Sequence, residues 1–244
     1  MPDSSGGSLT TTPGIFVTGT GTGVGKSIVA ACIVAALAAR GHRVAAFKPV
    51  VTGLDEPDET WPTDHVLLSR SSGWQRPDDV TPFTFGPAVS PHLAAQLADS
   101  NIDRAVVLEA LDRAADEAEV VVCEGVGGLL VPLSSSPPFS VLDLIVQCAL
   151  PVVVAARPGL GTISDTRLTV DRLRAEGVSV LAVVLTPWPA QPNQIELSNR
   201  ATIEELCEVA VYGLPPAAPE TLAERGADLP VEQWLGLAIP PLED

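Results

Sequence analysis

Lysine is nearly absent from this chain of 244 residues, in which only Lys26 and Lys48 occur. Lys and Arg together number 14 against 30 Asp and Glu, which gives a formal net charge of -16 at pH 7. This surplus of negative charge repels nucleic acid and anionic membrane surfaces, so we expect neither as a partner. An anionic ligand would need locally placed cations, and both lysines are therefore candidate functional residues.

Cysteines and long apolar runs are also scarce. The chain has four cysteines, which show neither C-x-x-C nor zinc-ligand spacing and are expected to be buried and reduced. They are Cys32, Cys123, Cys148 and Cys207. No apolar run reaches membrane-span length, and the opening segment MPDSSGGSLTTTP lacks the apolar region of a secretory leader. We expect a cytoplasmic protein with a disordered tail over residues 1–12 and a single domain over residues 13–244.

Apolar runs of strand length alternate with segments of helical length along the chain. The composition, 46% hydrophobic and 18% charged, is typical of an α/β protein. Predicted strands cover residues 14–19, 43–50, 119–125, 151–157 and 178–186. Predicted helices cover residues 25–40, 64–71 and 103–119 and the segments SVLDLIVQCA and ISDTRLTVDRLRAEG, whereas prolines leave little regular structure over residues 77–91. The alternation predicts a doubly wound, mostly parallel sheet flanked by helices.

Polar or glycine-rich segments follow these predicted strands. They cover residues 18–27, 48–52, 124–128, 158–162 and 186–187. Ligands of doubly wound sheets bind beyond the carboxyl ends of the strands. These five segments therefore stand where a doubly wound sheet is expected to bind its ligand.

The first of these segments reads TGTGTGVGKS and nearly matches the phosphate-binding loop G-x-x-x-x-G-K-[ST]. Its first glycine, Gly19, stands one place early, so the spacing is G-x5-G-K-S. A glycine-rich loop before a helix binds phosphate through backbone N–H groups and the helix N-terminus. Lys26 would reach the terminal phosphates, and the Ser27 hydroxyl would bind a Mg²⁺ ion. The alternative is an ordinary glycine-rich turn, which the strand before and the helix after disfavour.

Two carboxylates and the second lysine are further candidates. Glu124 ends an apolar strand before GVGG and is a candidate Mg²⁺ ligand, because phosphate-bound Mg²⁺ takes one or two carboxylates. Position alone favours Asp64 as a helix cap. Lys48 interrupts an apolar run just before a proline and could aim at the same phosphates as Lys26. A lysine at the edge of the sheet that only extends to solvent is the alternative for Lys48.

The segments GTGTGVGKS, KPVVTG and CEGVGGLLVPL, in this order, resemble the dethiobiotin synthetase family, which is P-loop NTPase-like. SPHLAA at residues 90–95 and LGT at residues 160–162 extend the resemblance towards the C-terminal region. The family also has the loop glycine one place early, so the resemblance implies that the longer spacing is a family trait. Together these segments are specific, whereas any one alone is weak.

The resemblance implies a cyclo-ligase. Family members convert 7,8-diaminopelargonate, CO₂ and a nucleoside triphosphate with Mg²⁺ into dethiobiotin, nucleoside diphosphate and phosphate. One amine takes up CO₂ as a carbamate, a carbamate oxygen attacks the γ-phosphate, and the second amine closes the ureido ring. The family is homodimeric, and the carboxylate tail of the substrate is held near the interface by the LGT loop of the partner subunit.

The resemblance implies a role for each residue of this chain that stands at a matching position of the family's motifs. The implied catalytic residues are Lys48, Lys26 and Thr22. The implied metal ligands are Ser27, Asp64 and Glu124, which replaces the cap interpretation of Asp64. The implied nucleotide-binding residues are Gly23, Val24, Gly25, Lys26, Ser27, Ile28, Asp64, Glu124, Gly125, Val126, Gly127, Thr186, Pro187, Pro215, Pro216 and Ala217. The implied substrate-binding residues are Thr52, Lys48, Leu160, Gly161 and Thr162.

The chain departs from the family where the nucleotide base is read. Relatives that read adenine often carry asparagine where this chain has Thr186, and an aromatic residue can follow proline where it has Pro215 and Pro216. Without the paired donor and acceptor of an amide, the site should discriminate bases poorly. We therefore expect a relaxed or altered nucleotide preference.

A nucleotide-binding regulator without turnover, or a partitioning-type ATPase, remains the alternative function. Partitioning ATPases resemble K-G-G-x-G-K in the loop, and their signature lysine is replaced here by Gly21. A cobyrinate-type amidotransferase would need a further glutaminase domain, for which no residues remain. Phosphate release that depends on the diamine would separate a ligase from a regulator.

Overall fold

The computed structural model describes residues 12–56, 58 and 60–237. Its strands are β1 (Gly14–Gly19), β2 (Val44–Phe47), β3 (Val120–Glu124), β4 (Pro132–Ser135), β5 (Pro138–Ser140), β6 (Val152–Ala156), β7 (Val180–Leu185) and β8 (Ala210–Gly213). The predicted tail lies outside the described residues except for Thr12, whose hydroxyl donates to the Ala115 carbonyl at 3.0 Å.

Six strands form one parallel sheet in the order β2-β3-β1-β6-β7-β8. After β1 the chain builds β2 and β3 on one side and then crosses to build the other three on the opposite side. The strand order therefore reverses around β1, and such a switch point opens a crevice at the carboxyl ends of the strands. Strands β4 and β5 form a separate antiparallel hairpin.

Helices pack on both faces of the sheet. Their bounds are α1 (Lys26–Ala39), α2 (Asp64–Ser72), α3 (Pro77–Val80), α4 (Pro91–Leu97), α5 (Arg104–Asp116), α6 (Val141–Cys148), α7 (Thr162–Ala175), α8 (Gln194–Cys207), α9 (Leu222–Ala227) and α10 (Val231–Leu235), with a 3₁₀ turn at Pro219–Thr221. None of these described helices is long and apolar enough to cross a membrane. The predicted doubly wound, mostly parallel α/β fold is confirmed.

Alternation along the strands divides the core into two layers. Ile15 and Val17 of β1 pack in the layer that contains α1, α2 and α9, whereas Phe16 packs in the layer that contains α5 and α6. Helix α1, with the sequence KSIVAACIVAALAA, has small apolar side chains on nearly all sides, because it lies between the sheet and α9. Burial of both sheet faces holds β1, and with it the loop that follows, in a fixed position.

Several elements were not predicted from the sequence, and the predicted strand over residues 43–50 was too long. Little regular structure was expected over residues 77–91, and this segment contains the short helix α3, which begins at a proline in its first turn. The hairpin β4–β5, helix α8 and strand β8 were not predicted. Strand β2 ends at Phe47, so Lys48 lies just beyond the strand and not within it. Its position at the carboxyl end places it in the crevice.

Candidate active site

The loop over residues 20–27 connects β1 to α1 at the switch point. It leaves β1 beside β6, where the Thr20 amide donates to the Ala155 carbonyl at 3.1 Å. Gly25 precedes α1 with φ 92°, and a Cβ at this position would lie 2.5 Å from Thr186 Cγ2. Both the backbone conformation and the close approach of β7's end therefore require glycine.

The loop presents free backbone donors. Within the described residues, no hydrogen bond uses the amide N–H of Gly23, Val24 or Gly25. Lys26 is the first residue of α1, and its Nζ donates to the Gly21 carbonyl at 2.7 Å across the loop. Successive free amides at a helix N-terminus bind phosphate oxygens without a side-chain cage.

Lys48 joins two carboxylates from different parts of the fold. Its Nζ donates to Glu124 Oε1 at 2.6 Å and also to Asp64 Oδ2. Ser27 Oγ donates to the same Glu124 oxygen at 2.7 Å. The carboxyl ends of β2 and β3 and the first turns of α1 and α2 thus meet at one ion cluster.

Burial and charge set the pKa values in this cluster. Burial alone would lower the pKa of Lys48, but the charges and hydrogen bonds of Asp64 and Glu124 outweigh it and raise the pKa above its ordinary value. Burial raises the pKa of Glu124, against the opposing charge of Lys48. Burial also acts to raise the pKa of Asp64, but Lys48, Ser27 and Lys26 leave it below its usual value.

Lys26 carries the less stabilised of the two ammonium charges. Burial lowers its pKa to about 8, and Lys48 lowers it further, whereas Glu124 and Asp64 oppose the shift. No carboxylate contacts Lys26 Nζ directly among the described residues. Negative charge placed in the loop would stabilise this ammonium group, which is the property expected of a phosphate-binding lysine.

The cluster fits a divalent cation. Glu124 is 0% exposed, and its second oxygen, Oε2, is buried without a hydrogen-bond partner among the described residues. An orphaned carboxylate oxygen beside a hydroxyl and a second carboxylate offers the hard oxygen ligands that Mg²⁺ prefers. No group of three His, Cys, Asp or Glu that could hold a metal is found in the described part of the chain. This small donor set suits an ion that also takes ligands from phosphate and water.

These groups line one cleft of about 610 Å³, within the size range of small-molecule sites. Twelve of the predicted site residues lie on its walls. They are Thr22, Gly23, Gly25, Lys26, Ser27, Ile28, Lys48, Thr52, Asp64, Glu124, Val126 and Gly127. The fold therefore brings together the predicted phosphate, metal and diamine residues.

The other predicted residues lie outside the walls of this cleft. Val24 is buried in the phosphate loop. Gly125 packs closely against the side chains of Phe16 and Val141. Two further groups occupy neighbouring strand ends. The predicted base residues are Thr186, Pro187, Pro215, Pro216 and Ala217, after β7 and β8, and the predicted tail-binding residues are Leu160, Gly161 and Thr162, before and at the start of α7.

The cap interpretation of Asp64 from position alone was wrong. Thr63 occupies the N-cap of α2, and Asp64 is the first helical residue, with its carboxylate on Lys48. The tertiary contact with a lysine sixteen residues earlier decides the role of this carboxylate. Sequence position alone offered no signal for that contact.

Sequence reasoning also missed part of the site. The acidic segment after β2 supplies a wall of the cleft through Glu56, Asp58 and Trp61. The Asp58 carboxylate fixes its own turn by accepting from the Thr60 and Trp61 amides at 2.6 and 3.1 Å. Arg157, which follows β6, contacts the phosphate loop and was not singled out. An arginine directly after a buried strand was the available signal.

Fold and loop together define a P-loop nucleotide-binding protein. A family model described as an AAA domain matches residues 13–225 of the chain. A solved structure of a Cyanothece McdA complex with ATP superposes with a TM-score of 0.54 at 12% identity, covering 94% of this chain and 98% of that chain. This likeness shows the fold alone.

Curated relatives are more specific. An Anaeromyxobacter dehalogenans protein named ATP-dependent dethiobiotin synthetase BioD is 38% identical over 217 residues, 88% of this chain and 95% of the relative. Proteins of the same name from Haloferax mediterranei and Bacillus velezensis are 37% and 33% identical, covering 90% and 86% of this chain and 92% and 89% of theirs. The chain belongs to the dethiobiotin synthetase family.

Proposed function

We propose that this protein is an ATP-dependent dethiobiotin synthetase, a cyclo-ligase of biotin biosynthesis. The observation that carries the proposal is the ion cluster in which Lys48 joins Asp64 and Glu124 beside the free amides of the phosphate loop. The names of the curated relatives support the same activity. The proposal places the enzyme in the cytoplasm, where nucleoside triphosphates are made.

The proposed reaction has three steps. One amine of 7,8-diaminopelargonate adds to CO₂, loses a proton and becomes a carbamate. A carbamate oxygen forms a bond to the γ-phosphorus as the bond to the ADP oxygen breaks. The second amine then attacks the carbamoyl carbon, the carbon–oxygen bond breaks, and phosphate leaves as the urea ring closes. The mixed anhydride is reactive, so the protein's task is orientation and charge stabilisation.

Lys48 is suited to hold the reacting oxygens. An ammonium group has three donors, and Asp64 and Glu124 occupy two of them. The third remains for a γ-phosphate or carbamate oxygen in the cleft. Because the carboxylates raise the pKa of Lys48, the group stays charged and does not act as a base. Lys26 would exchange its Gly21 carbonyl for a phosphate oxygen.

Ser27, Asp64 and Glu124 would hold Mg²⁺. The bound ion would supply charge neutralisation at the β- and γ-phosphates. The buried, orphaned Oε2 of Glu124 supports this assignment. In the chain itself, Ser27 and Lys48 hold the Glu124 carboxylate in one orientation.

We further propose that the protein is a homodimer in which the loop at Leu160–Gly161–Thr162 serves the substrate of the partner subunit. Leu160 is 87% exposed, and Leu168 on the next helix is 68% exposed. Leu168 lines a groove of about 440 Å³ that also includes Leu130 and, at the start of the phosphate loop, Thr20. Light scattering should give twice the 25.3 kDa chain mass, and Leu160→Glu should shift it towards monomer.

The test of the function is direct. The protein is incubated with 7,8-diaminopelargonate, bicarbonate, Mg²⁺ and ATP, and the cyclic urea is detected by mass spectrometry. Product is expected only with all components present. Failure to form the urea while ATP still binds would overturn the ligase and favour a nucleotide-binding regulator. The signature lysine of partitioning ATPases is absent at Gly21, which disfavours that alternative.

A further inference from the structure

Arg157 lies directly after β6, the strand that pairs with β1 on the side opposite β3. Strand β6 pairs Ala155 with Gly19, the last residue of β1, and ends at Ala156. Arg157 therefore leaves the sheet one residue beyond the point where the phosphate loop begins. Its side chain can reach the loop without entering the cleft.

The guanidinium group makes two hydrogen bonds to one loop carbonyl. Nε donates to the Gly23 oxygen at 3.0 Å, and Nη2 donates to the same oxygen at 2.7 Å. Hydrogen bonds from a charged donor are about twice as strong as neutral ones, and the planar guanidinium group fixes their direction. Gly23 has φ 69°, so the loop takes a left-handed turn at the residue that Arg157 holds.

The geometry of the peptide unit links this contact to phosphate binding. In a planar trans peptide the carbonyl of Gly23 and the N–H of Val24 point in opposite directions. An oxygen held outward by Arg157 therefore keeps the Val24 N–H directed to the other side of the loop. That N–H has no partner among the described residues. We propose that Arg157 is a positioning residue that orients the loop amides for the triphosphate.

The segment that carries Arg157 is itself anchored. Asn199 of α8 is buried, and its Nδ2 donates to the Pro158 and Gly159 carbonyls at 2.9 and 3.0 Å. The backbone around Arg157 is therefore held by β6 on one side and by Asn199 of α8 on the other. The side chain is exposed, so its contact with Gly23 is fixed by this backbone and not by surrounding core. A fixed backbone is what a positioning residue requires.

The experiment uses Arg157→Ala and Arg157→Lys, with Arg113→Ala as the matched control. Arg113 is exposed on α5 and forms no hydrogen bond or ion pair with the phosphate loop among the described residues; it lines a separate cavity together with Glu117. Binding of a non-hydrolysable ATP analogue is measured by calorimetry without diamine, and steady-state KM values follow for ATP and diaminopelargonate. Thermal unfolding without nucleotide reports on the fold.

Arg157→Ala is expected to weaken analogue binding and raise the ATP KM by about tenfold, with the diamine KM within about twofold. Lysine keeps the positive charge but lacks the planar guanidinium fork, so Arg157→Lys should recover part of the loss. Guanidinium ion at millimolar concentration should restore binding to the alanine variant and leave the control unchanged. Such rescue would not occur if Arg157 only stabilised the fold.

Wild-type analogue affinity in Arg157→Ala would overturn the proposal. Unfolding of both Arg157 variants, or an equal weakening in Arg113→Ala, would assign the residue to stability or to general charge and overturn it as well. The inference rests on the proposed function only for the identity of the nucleotide. Loss of analogue binding with no urea formed by the wild type would keep the positioning role and reject the ligase.

Discussion

The phosphate end and the predicted base end of the nucleotide site are built in different ways. At the phosphate end, Lys48 and Glu124 are 4% and 0% exposed and hold each other in place. At the base end, threonine, proline and alanine follow β7 and β8, and of these only Thr186 has a polar side chain. Paired charges hold the proposed reacting groups in place, whereas the residues predicted to contact the base offer few side-chain donors.

Backbone contacts hold the base end together instead. The Leu214 amide donates to the Leu185 carbonyl at 2.9 Å, and the Trp188 amide donates to the Leu214 carbonyl at 2.7 Å. These bonds hold the segments after β7 and β8 side by side. The phosphate end is thus held by charged side chains, whereas the predicted base end is held by backbone hydrogen bonds. Substitutions at the phosphate end should therefore have much larger effects.

The largest effect is expected from Lys48→Ala. Turnover should fall by roughly 10³-fold or more, because the charge that faces the reacting oxygens is lost. The variant should fold, with its free energy of unfolding lowered by up to about 3 kcal/mol, because Glu124 loses its buried counter-ion. Steady-state kinetics and denaturant unfolding measure the two effects.

A double variant provides the control for Lys48. Lys48→Ala with Glu124→Gln removes both charges and should regain part of the lost stability without regaining activity. Activity near wild type in either variant would remove Lys48 from the mechanism.

A smaller but still large effect is expected from Glu124→Gln alone. The amide keeps the shape of the side chain but loses the charge that would bind Mg²⁺. We expect kcat/KM to fall by about 10²-fold and the Mg²⁺ concentration for half-maximal activity to rise. A Mg²⁺ titration measures the shift. An unchanged Mg²⁺ dependence would contradict the metal assignment of Glu124.

At the predicted base end we expect the protein to accept different nucleotide bases. The kcat/KM values for ATP, CTP, GTP and UTP should lie within about tenfold of each other, because none of the five residues predicted to contact the base has a side-chain amide. Thr186→Asn introduces such an amide and should increase the preference for ATP. Strong selectivity for ATP in the unchanged protein would reverse the comparison between the two ends.

The smallest effect is expected from Pro216→Ala. Pro216 is exposed after β8, and substitution keeps the backbone bonds of Leu214. The ATP KM and the melting temperature should change little, with KM within about twofold. A loss as large as that expected for Glu124→Gln would show that the base end is as demanding as the phosphate end.

Much of the fold could be predicted from the alternation of apolar runs. The five predicted strands are present because each is a short apolar run that is largely buried, as in β6 and β7. Strand β8 was missed because AVYG is short and lies at the edge of the sheet, where the burial signal is weak. Strand order depends on how the faces pack, and local pattern does not contain it.

The candidate site also has a part that local sequence pattern predicts and a part that it does not. The phosphate loop and its lysine were predictable because glycine spacing directly encodes a backbone shape. The pairing of Asp64 with Lys48 and the contact of Arg157 with Gly23 were not predictable from residue pattern. The latter joins residues 134 positions apart in sequence. Such contacts form only when neighbouring strands bring their carboxyl ends together.

By itself the sequence determined the local shapes of this protein: which runs form strands, where α1 begins, and that a phosphate loop precedes it. Local backbone preferences and periodic burial are short-range properties, and a few residues suffice to express them. Only the tertiary structure decided that Glu124 accepts from both Ser27 and Lys48 and that the arginine after β6 donates to the Gly23 carbonyl of the loop. Charge interactions depend on distance and burial, and both are set by the packing of segments far apart in the chain.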